Sequence, residues 1–474
     1  MPGRVKNGSG VQREDDKMKN SATSKNSVLL IATLSAFGVP FLISAINVAL
    51  PRMTTELHME AVVMTWVNTI YFLAIAMVQV PMGRLADIFG RRRIYILGLM
   101  ISLVSGIAAA FAGSAAVLLV SRAFQGIGAG MTFTTIVAVV TSVFPSEERG
   151  KALGISMTGT YGGLIFGPLI GGVMTNHYGW PSIFVLSAVL NLFMLVLSLM
   201  TLKGEWREAK GEKFDVPGAL VYMVAVAVFM YGFSSLPSVS GGIFLAAGVV
   251  GLVYFARREM KDPSPILEFR LFRNNRVFLF SNAATLINYM ATYAVTFLLN
   301  LYLQYIKGLS PQDAGLMMIA SAIPMTIFTP LAGRVSDKIE PRLVAATGML
   351  MACAGLVMLI FLNDATASWY VILALVAYGI GIGLFSSPNS NAIMGSVDRK
   401  MLGVASGTVG TMRTAGMMLS MGIMMIIFAV LIGPQEIEPV YYPQFLNSLK
   451  VGFIVFAALG LGGALAQLSA RKKA

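Results

Sequence analysis

The sequence predicts an all-α membrane protein: two six-helix bundles plus a two-helix insert, fourteen transmembrane helices in all, both termini cytoplasmic. The first observation is a charged hairpin that occurs twice. One copy is Gly83-Arg84-Leu85-Ala86-Asp87-Ile88-Phe89-Gly90-Arg91-Arg92-Arg93, the other Gly333-Arg334-Val335-Ser336-Asp337-Lys338-Ile339-Glu340-Pro341-Arg342. Each lies between two apolar runs long enough to cross a bilayer, so the chain reads as two related halves. The second observation is composition. Hydrophobic residues make up 56% of the chain and charged residues 12%, where a soluble domain carries about 25% charged. The third is the placement of the basic residues, which fall in alternate connections between the apolar runs.

Residues 1–26 are polar and rich in Lys and Arg, and read as a disordered cytoplasmic tail. The run from Ser27 to Leu50 is too long for a signal-peptide core and lacks a cleavage site. It should remain as the first span. Runs near the roughly 20 residues that a bilayer requires fall at 27–50, 62–82, 94–113, 116–142, 151–174 and 182–202. These make an N-terminal six-helix bundle over 27–203. The pair 215–236 and 241–258 forms the insert, within 204–259, and a basic cytoplasmic linker covers 260–276. The runs at 277–306, 312–332, 343–362, 368–392, 403–432 and 449–469 make a C-terminal bundle over 277–470. Six spans with short loops need roughly 180–200 residues. The hairpins lie farther apart than that, and the surplus fits the insert.

With the N-terminus inside, the inside connections hold nearly all of the loop Lys and Arg, among them Arg91–Arg93, Arg149, Lys210, Arg257, Arg276, Lys338 and Arg399. Outside remain Arg52, Lys307 and Lys450. This is the positive-inside pattern. It accounts for the net charge of +13 without a nucleic-acid partner. Cys353 is the only cysteine and lies in an apolar run, while His58 and His177 are the only histidines and fall in outer loops. No disulfide, metal cluster, cofactor site or catalytic set is expected, and no phosphate-binding Gly-Lys loop is evident. A membrane enzyme is disfavoured on these grounds. A transporter-like sensor or scaffold is disfavoured by the intact hairpins.

Motifs on successive spans resemble the major facilitator superfamily, and within it the fourteen-span drug:proton antiporters. Gly83, Asp87, Gly90 and Arg91 match the key positions of that family's hairpin motif, with Arg84 inside it. Arg122-Ala123-Phe124-Gln125-Gly126-Ile127-Gly128 resembles its R-x-x-Q-G-x-G motif, and Gly163 to Gly172, with Gly167-Pro168, its G-x-x-x-G-P-x-x-G-G antiporter motif. The resemblance covers roughly residues 30–470. It implies a monomeric, multi-pass transporter of the cell membrane that exports small amphipathic or hydrophobic compounds by alternating access, with protons as the coupling ion. The chain departs from the pattern in its first span. Asn47-Val48-Ala49-Leu50-Pro51 survives, but Ser44 stands at the threonine position and Leu42 at the aspartate position. The carboxylate that the resemblance would assign to coupling is missing. A facilitator, or an anion or lipid transporter not coupled through a membrane-embedded carboxylate, is the alternative.

The residues themselves suggest roles. Asp87 can meet a helix N-terminus or Arg91 and form a latch that breaks as the halves rock. Asp337 is its counterpart in a weaker copy, where Glu340-Pro341 replaces Gly-Arg. Gly159, Gly163, Gly167 and Gly171 share one helix face and permit close backbone approach. They form either a sliding contact between the halves or simple tight packing. Arg122 and Arg413 lie well inside spans, where a cation costs about 2.5–3.5 kcal/mol on insertion scales. Arg122 reads as functional or as a clamp on helix ends; Arg413 reads as a cavity cation or as snorkelling toward the cytoplasm. No Asp or Glu falls in the central part of any span. Polar and aromatic stripes remain: Asn47; Asn68 and Gln79; Tyr289, Tyr293, Asn300 and Gln304; Tyr378 and Asn389. As a set they could line a cavity for amphipathic molecules, and singly they could serve helix–helix hydrogen bonding.

Overall fold

The computed structural model describes residues 24–470 except 60, 237, 263–264, 268, 310 and 433–438. The tail expected over residues 1–26 therefore lies, for residues 1–23, outside the described residues, as does part of the linker.

Among the described residues, fourteen helices are long and apolar enough to cross a membrane. The N-terminal bundle contains α1 (Lys25–Glu56), α2 (Ala61–Phe89), α3 (Arg91–Ala110), α4 (Ala115–Val143), α5 (Arg149–Tyr178) and α6 (Pro181–Thr201). The insert is α7 (Val216–Ser234) and α8 (Val239–Glu259), followed by a short helix, Phe269–Asn274. The C-terminal bundle contains α9 (Arg276–Leu301), α10 (Pro311–Ser336), α11 (Pro341–Leu359), α12 (Ser368–Gly395), α13 (Leu402–Leu431) and α14 (Tyr442–Ser469). Among the described residues there is no strand. Each expected span is present. The helices extend past the apolar runs, because a helix satisfies its own backbone polar groups and nothing forces it to stop at the lipid boundary. α2 continues through Asp87 to Phe89, and α10 through Gly333 to Ser336. The hairpin motif is thus mostly helix, and its turn is at Gly90, where φ is 122°, a conformation that favours glycine.

Each bundle has its own core. Phe41, Ile46, Met53, Trp180 and Phe184 pack near the outer end of the first half. Leu298, Tyr302, Leu356, Leu375, Phe445 and Phe453 pack in the second. The halves meet along two seams, α2 on α13 and α5 on α10. The insert seats on the first seam. Tyr222, Val226 and Phe255 join Ala76 and Val80 of α2 and Val404 of α13 in one apolar cluster. Tyr222 Oη also lies 3.4 Å from the Ala76 carbonyl and 3.3 Å from Thr411 Oγ1. Asp215 caps α7 at Gly218 N and is paired with Arg258 of α8, which closes the insert at its cytoplasmic end. Arg258 beside it holds the Asp215 carboxyl below the usual carboxylate range.

Candidate functional site

At the cytoplasmic end of both seams a glycine pair brings two backbones together. A side chain on Gly83 would collide with the Gly403 carbonyl, and one on Gly333 with the Gly150 carbonyl. This close approach carries the helix N-termini of the opposite half to the two hairpin aspartates. Asp87 is completely buried. It accepts hydrogen bonds from Gly403 N at 2.9 Å and Val404 N at 3.2 Å, in the first turn of α13. Arg91 donates to the same carboxylate from Nη2 at 2.7 Å and Nε at 3.0 Å. Arg91 also reaches Ser142 Oγ and, at 2.8 Å, the Arg399 carbonyl. Arg84, nearly buried, donates to Glu212 at 2.5 Å and so ties the hairpin to the segment before the insert.

Asp337 repeats the arrangement on the other seam. It accepts from Gly150 N at 2.9 Å and Lys151 N at 3.0 Å, in the first turn of α5. A carboxylate facing free N–H groups at a helix N-terminus is stabilised by the helix dipole and by charge-assisted hydrogen bonds. Burial nevertheless raises the Asp337 carboxyl above its ordinary value, with the two N–H donors opposing. Further bonds between the halves cluster nearby: Ser387 Oγ to the Gly150 carbonyl at 2.8 Å and Ser406 Oγ to the Thr134 carbonyl at 2.7 Å. The cytoplasmic side is therefore latched shut.

Nearer the membrane centre the halves enclose a cavity. It is lined by Phe133 of α4, Ser156, Thr160 and Tyr161 of α5, Tyr289 of α9 and Arg413 of α13. The Arg413 guanidinium lies over the Phe133 ring, 3.8 Å from its centroid. Tyr161 Oη and Ser386 Oγ are 3.0 Å apart across the seam. One turn beyond Tyr289, Tyr293 meets Phe72 of α2 edge to face, with centroids 6.3 Å apart. That contact stands on the outer side of the cavity and the latch on the inner side.

Arg122 is fully buried and clamped. It donates to the Val67 carbonyl at 3.0 Å, Gln125 Oε1 at 3.0 Å and Asn68 Oδ1 at 3.4 Å, and lies 4.1 Å from the Tyr71 ring centroid. Asn68 in turn donates to Asn47 at 2.6 Å. Asn47, Asn68, Arg122 and Gln125 thus form one chain linking α1, α2 and α4, inside the first half. Gln125 and Tyr71 also line a second small polar pocket, with Leu42, Ser102, Thr132 and Asn191.

Several residues read as cavity-lining stand elsewhere. Gln79 is fully buried in the α2–α13 seam against Gly407 and Gly410, because the helix face it shares with Asn68 turns into that seam near the cytoplasm. Tyr378 donates to the Thr292 carbonyl at 2.8 Å, and Asn389 to Thr285 Oγ1 at 2.7 Å. Both serve helix–helix hydrogen bonding within the second half. Gln304 donates to Asn300 at 3.0 Å near the outer end of α9, where the helix widens into the π turn Tyr302–Ile306. The glycine stripe also needs correction as a contact between halves. A side chain on Gly163 would strike Phe37 and Phe41, and one on Gly167 Ser44 and Phe41. These all belong to α1, so the stripe packs two helices of one bundle, and Pro168 beside it faces outward. Phe133, Tyr161, Gly150 and Gly403 were missed. None carries a charge or sits in a polar stripe; only the internal repeat hinted at Gly150 and Gly403, as the helix starts facing each hairpin.

Residues 32–421 match the Major Facilitator Superfamily, and 281–470 match it again. The riboflavin transporter RibZ of Clostridioides difficile is 30% identical over 81% of this chain and 84% of its own. The multidrug resistance protein Stp of Mycobacterium tuberculosis is 31% identical over 82% and 73%. The methyl viologen resistance protein SmvA of Salmonella typhimurium is 26% identical over 89% and 86%. In fold, the chain is similar to the human organic anion transporter MFSD10, with a TM-score of 0.67 at 15% identity over 94% of this chain and 99% of that one. It is also similar to the proton:xylose symporter XylE, with a TM-score of 0.66 at 14% identity over 94% and 95%. The protein is a transporter and not an enzyme. With the paired latches, the two six-helix bundles and these matches together, the chain belongs to the Major Facilitator Superfamily.

Proposed function

We propose that this protein is a secondary active transporter of the cell membrane that exports small amphipathic or hydrophobic compounds by alternating access. One observation carries the reading: an aromatic and polar cavity lies between two halves that are joined at the cytoplasmic face by a pair of breakable carboxylate-to-helix latches. Breaking both exposes the cavity to the cytoplasm; re-forming them, with Phe72 and Tyr293 parting, exposes it outside. The printed name of one relative supports the cargo class, since Stp is a multidrug resistance protein. RibZ, a riboflavin transporter, keeps a narrower cargo in view.

Antiport with protons is the coupling expected of an exporter of this kind. A specific observation favours the second reading, transport not coupled through a membrane-embedded carboxylate: Leu42 occupies the position where an acid would face the polar pocket beside Gln125. The experiment is efflux. An expressing strain is challenged with chemically diverse toxic compounds, and each hit is followed in proteoliposomes of purified protein. Export should raise tolerance to several amphipathic compounds and move them across the liposome membrane. Absence of both for every compound overturns the reading.

A further inference from the structure

Arg413 differs from the buried arginines Arg84, Arg91 and Arg122. Arg91 is satisfied by Asp87, Ser142 and the Arg399 carbonyl. Arg122 is satisfied by Val67, Gln125 and Asn68, and Arg84 is paired with Glu212. Arg413 makes no hydrogen bond and no ion pair among the described residues, and its buried Nε has no partner. Its one contact of note is the Phe133 ring, which balances positive charge only weakly. No Asp or Glu lies in the central part of any span. The cavity therefore has a positively charged wall, five N–H donors in a planar fork and no carboxylate among its lining residues to meet them.

A cation left without an anion in a low-dielectric interior is costly unless something completes it. The residues around it narrow what that is. Phe133, Tyr161 and Tyr289 present ring surface, Met157, Ile136 and Val140 add apolar wall, and Ser156 and Thr160 add short hydroxyls. Such a lining buries a flat apolar body while the guanidinium takes an acid group, and a guanidinium matches the two oxygens of a carboxylate or sulfonate.

Building on the reading of this cavity as the transport site, we infer that its preferred cargo is an amphipathic organic anion, its carboxylate or sulfonate on Arg413 and its aromatic body against Phe133, Tyr161 and Tyr289. The same wall disfavours organic cations, which meet a like charge with no carboxylate to offset it.

The test is binding to the purified full-length protein in nanodiscs of zwitterionic lipid. Three radiolabelled probes share one ring system: 1-naphthoate, 1-naphthalenemethanol and 1-naphthylmethylammonium. Wild-type protein should bind the anion at least tenfold more tightly than the cation. Arg413→Gln should weaken the anion at least tenfold, about 1.4 kcal/mol, and shift the neutral probe less than threefold. Arg413→Lys should recover part of the anion affinity, which a merely structural role would not produce. Thermal unfolding of each variant shows whether the fold is intact. Preference of wild type for the cation or the neutral probe overturns the inference and leaves the transport reading standing. An equal loss for all probes in Arg413→Gln, or no loss for the anion, also overturns it. Failure of wild type to bind any of the three, with no efflux in the toxic-compound screen, removes both.

Discussion

Asp87 of the first half holds the backbone N–H of Gly403 in the second at 2.9 Å, and this bond exists only while the cytoplasmic ends of α2 and α13 touch. The carboxylate is fully buried, shared with Arg91 and aimed at two N–H groups of a helix start. Hydrogen bonds to charged groups contribute about 1.5–3 kcal/mol each. Asp87→Asn keeps the shape but loses the charge, so the latched state should lose roughly one to two powers of ten in population. Flux should fall at least tenfold with expression near the wild-type level. Wild-type flux in purified Asp87→Asn protein would reduce the hairpin to a topology signal.

The glycines separate two kinds of close contact. Gly83 meets Gly403 across the seam, whereas Gly163 meets α1 within its own bundle. Gly83→Leu should therefore leave the bundles folded and block closure, giving near-normal thermal stability with little transport. Gly163→Leu should damage the bundle itself and lower the unfolding temperature along with transport. Overpacking of a tight contact costs about 1–3 kcal/mol. Matching stability profiles for the two variants would contradict the assignment of the stripe to intra-bundle packing.

Orientation can be checked by labelling. Ser146, in the loop before α5, and Ser238, at the start of α8, are both exposed. In a Cys353→Ser background, a membrane-impermeant thiol reagent applied to intact cells should label Ser238→Cys and spare Ser146→Cys. The reverse pattern would turn the whole assembly over.

How much of this was legible in the sequence follows from what each feature depends on. The spans were legible because apolar length is a property of the segment alone. The aspartates were legible because the hairpin repeats. Their partners were not, since Gly403, Val404, Gly150 and Lys151 contribute only backbone N–H groups, and every residue except proline has one. The facing of a stripe was not legible either. Periodicity puts Gly159, Gly163, Gly167 and Gly171 on one face, but only packing decides that the face meets α1. Gln79 and Tyr378 show the same gap, for a polar side chain on a helix can face a cavity, a seam or a neighbouring carbonyl. Arg413 was legible as an intramembrane charge, while its lack of a partner needed the surrounding helices.

The Asp337 latch should respond to pH. Its carboxyl lies above the ordinary value in the latched state because burial disfavours the charge, and Glu147 and Glu148 nearby push it the same way. Once the seam opens, that burial is relieved and the carboxyl returns toward its ordinary value. Between the two values the latched state binds more protons, so acidification stabilises it relative to the open state, and the effect vanishes above the raised value. Spin labels at Ser146→Cys and Lys338→Cys should report a larger short-distance population as the cytoplasmic side is acidified through this window. Asp337→Asn should flatten the response. An increase in separation on acidification would reverse the sign and refute the assignment.

The final prediction concerns coupling. A carboxylate inside a span can hold a proton near neutral pH because burial raises its pKa, which is the simplest way to tie cargo exit to proton entry. Leu42 instead presents an apolar side chain to a pocket whose other walls include Ser102, Gln125, Thr132 and Asn191. Those groups could solvate an acid placed there, and Arg122, hydrogen-bonded to Gln125, could offset its charge. The unmodified protein should therefore show weak dependence of flux on an imposed pH gradient. Leu42→Asp should raise that dependence by supplying a titratable group in a site already polar. Arg413→Ala should lower flux of acidic cargo with or without the gradient, since it removes the cation that faces the cargo's acid group. The measurement is substrate flux in proteoliposomes with and without the gradient, for the wild type and both variants. Strong uphill transport by the wild type driven by the pH gradient alone would show that a carboxylate outside the span centres, Asp87 or Asp337, carries the proton instead.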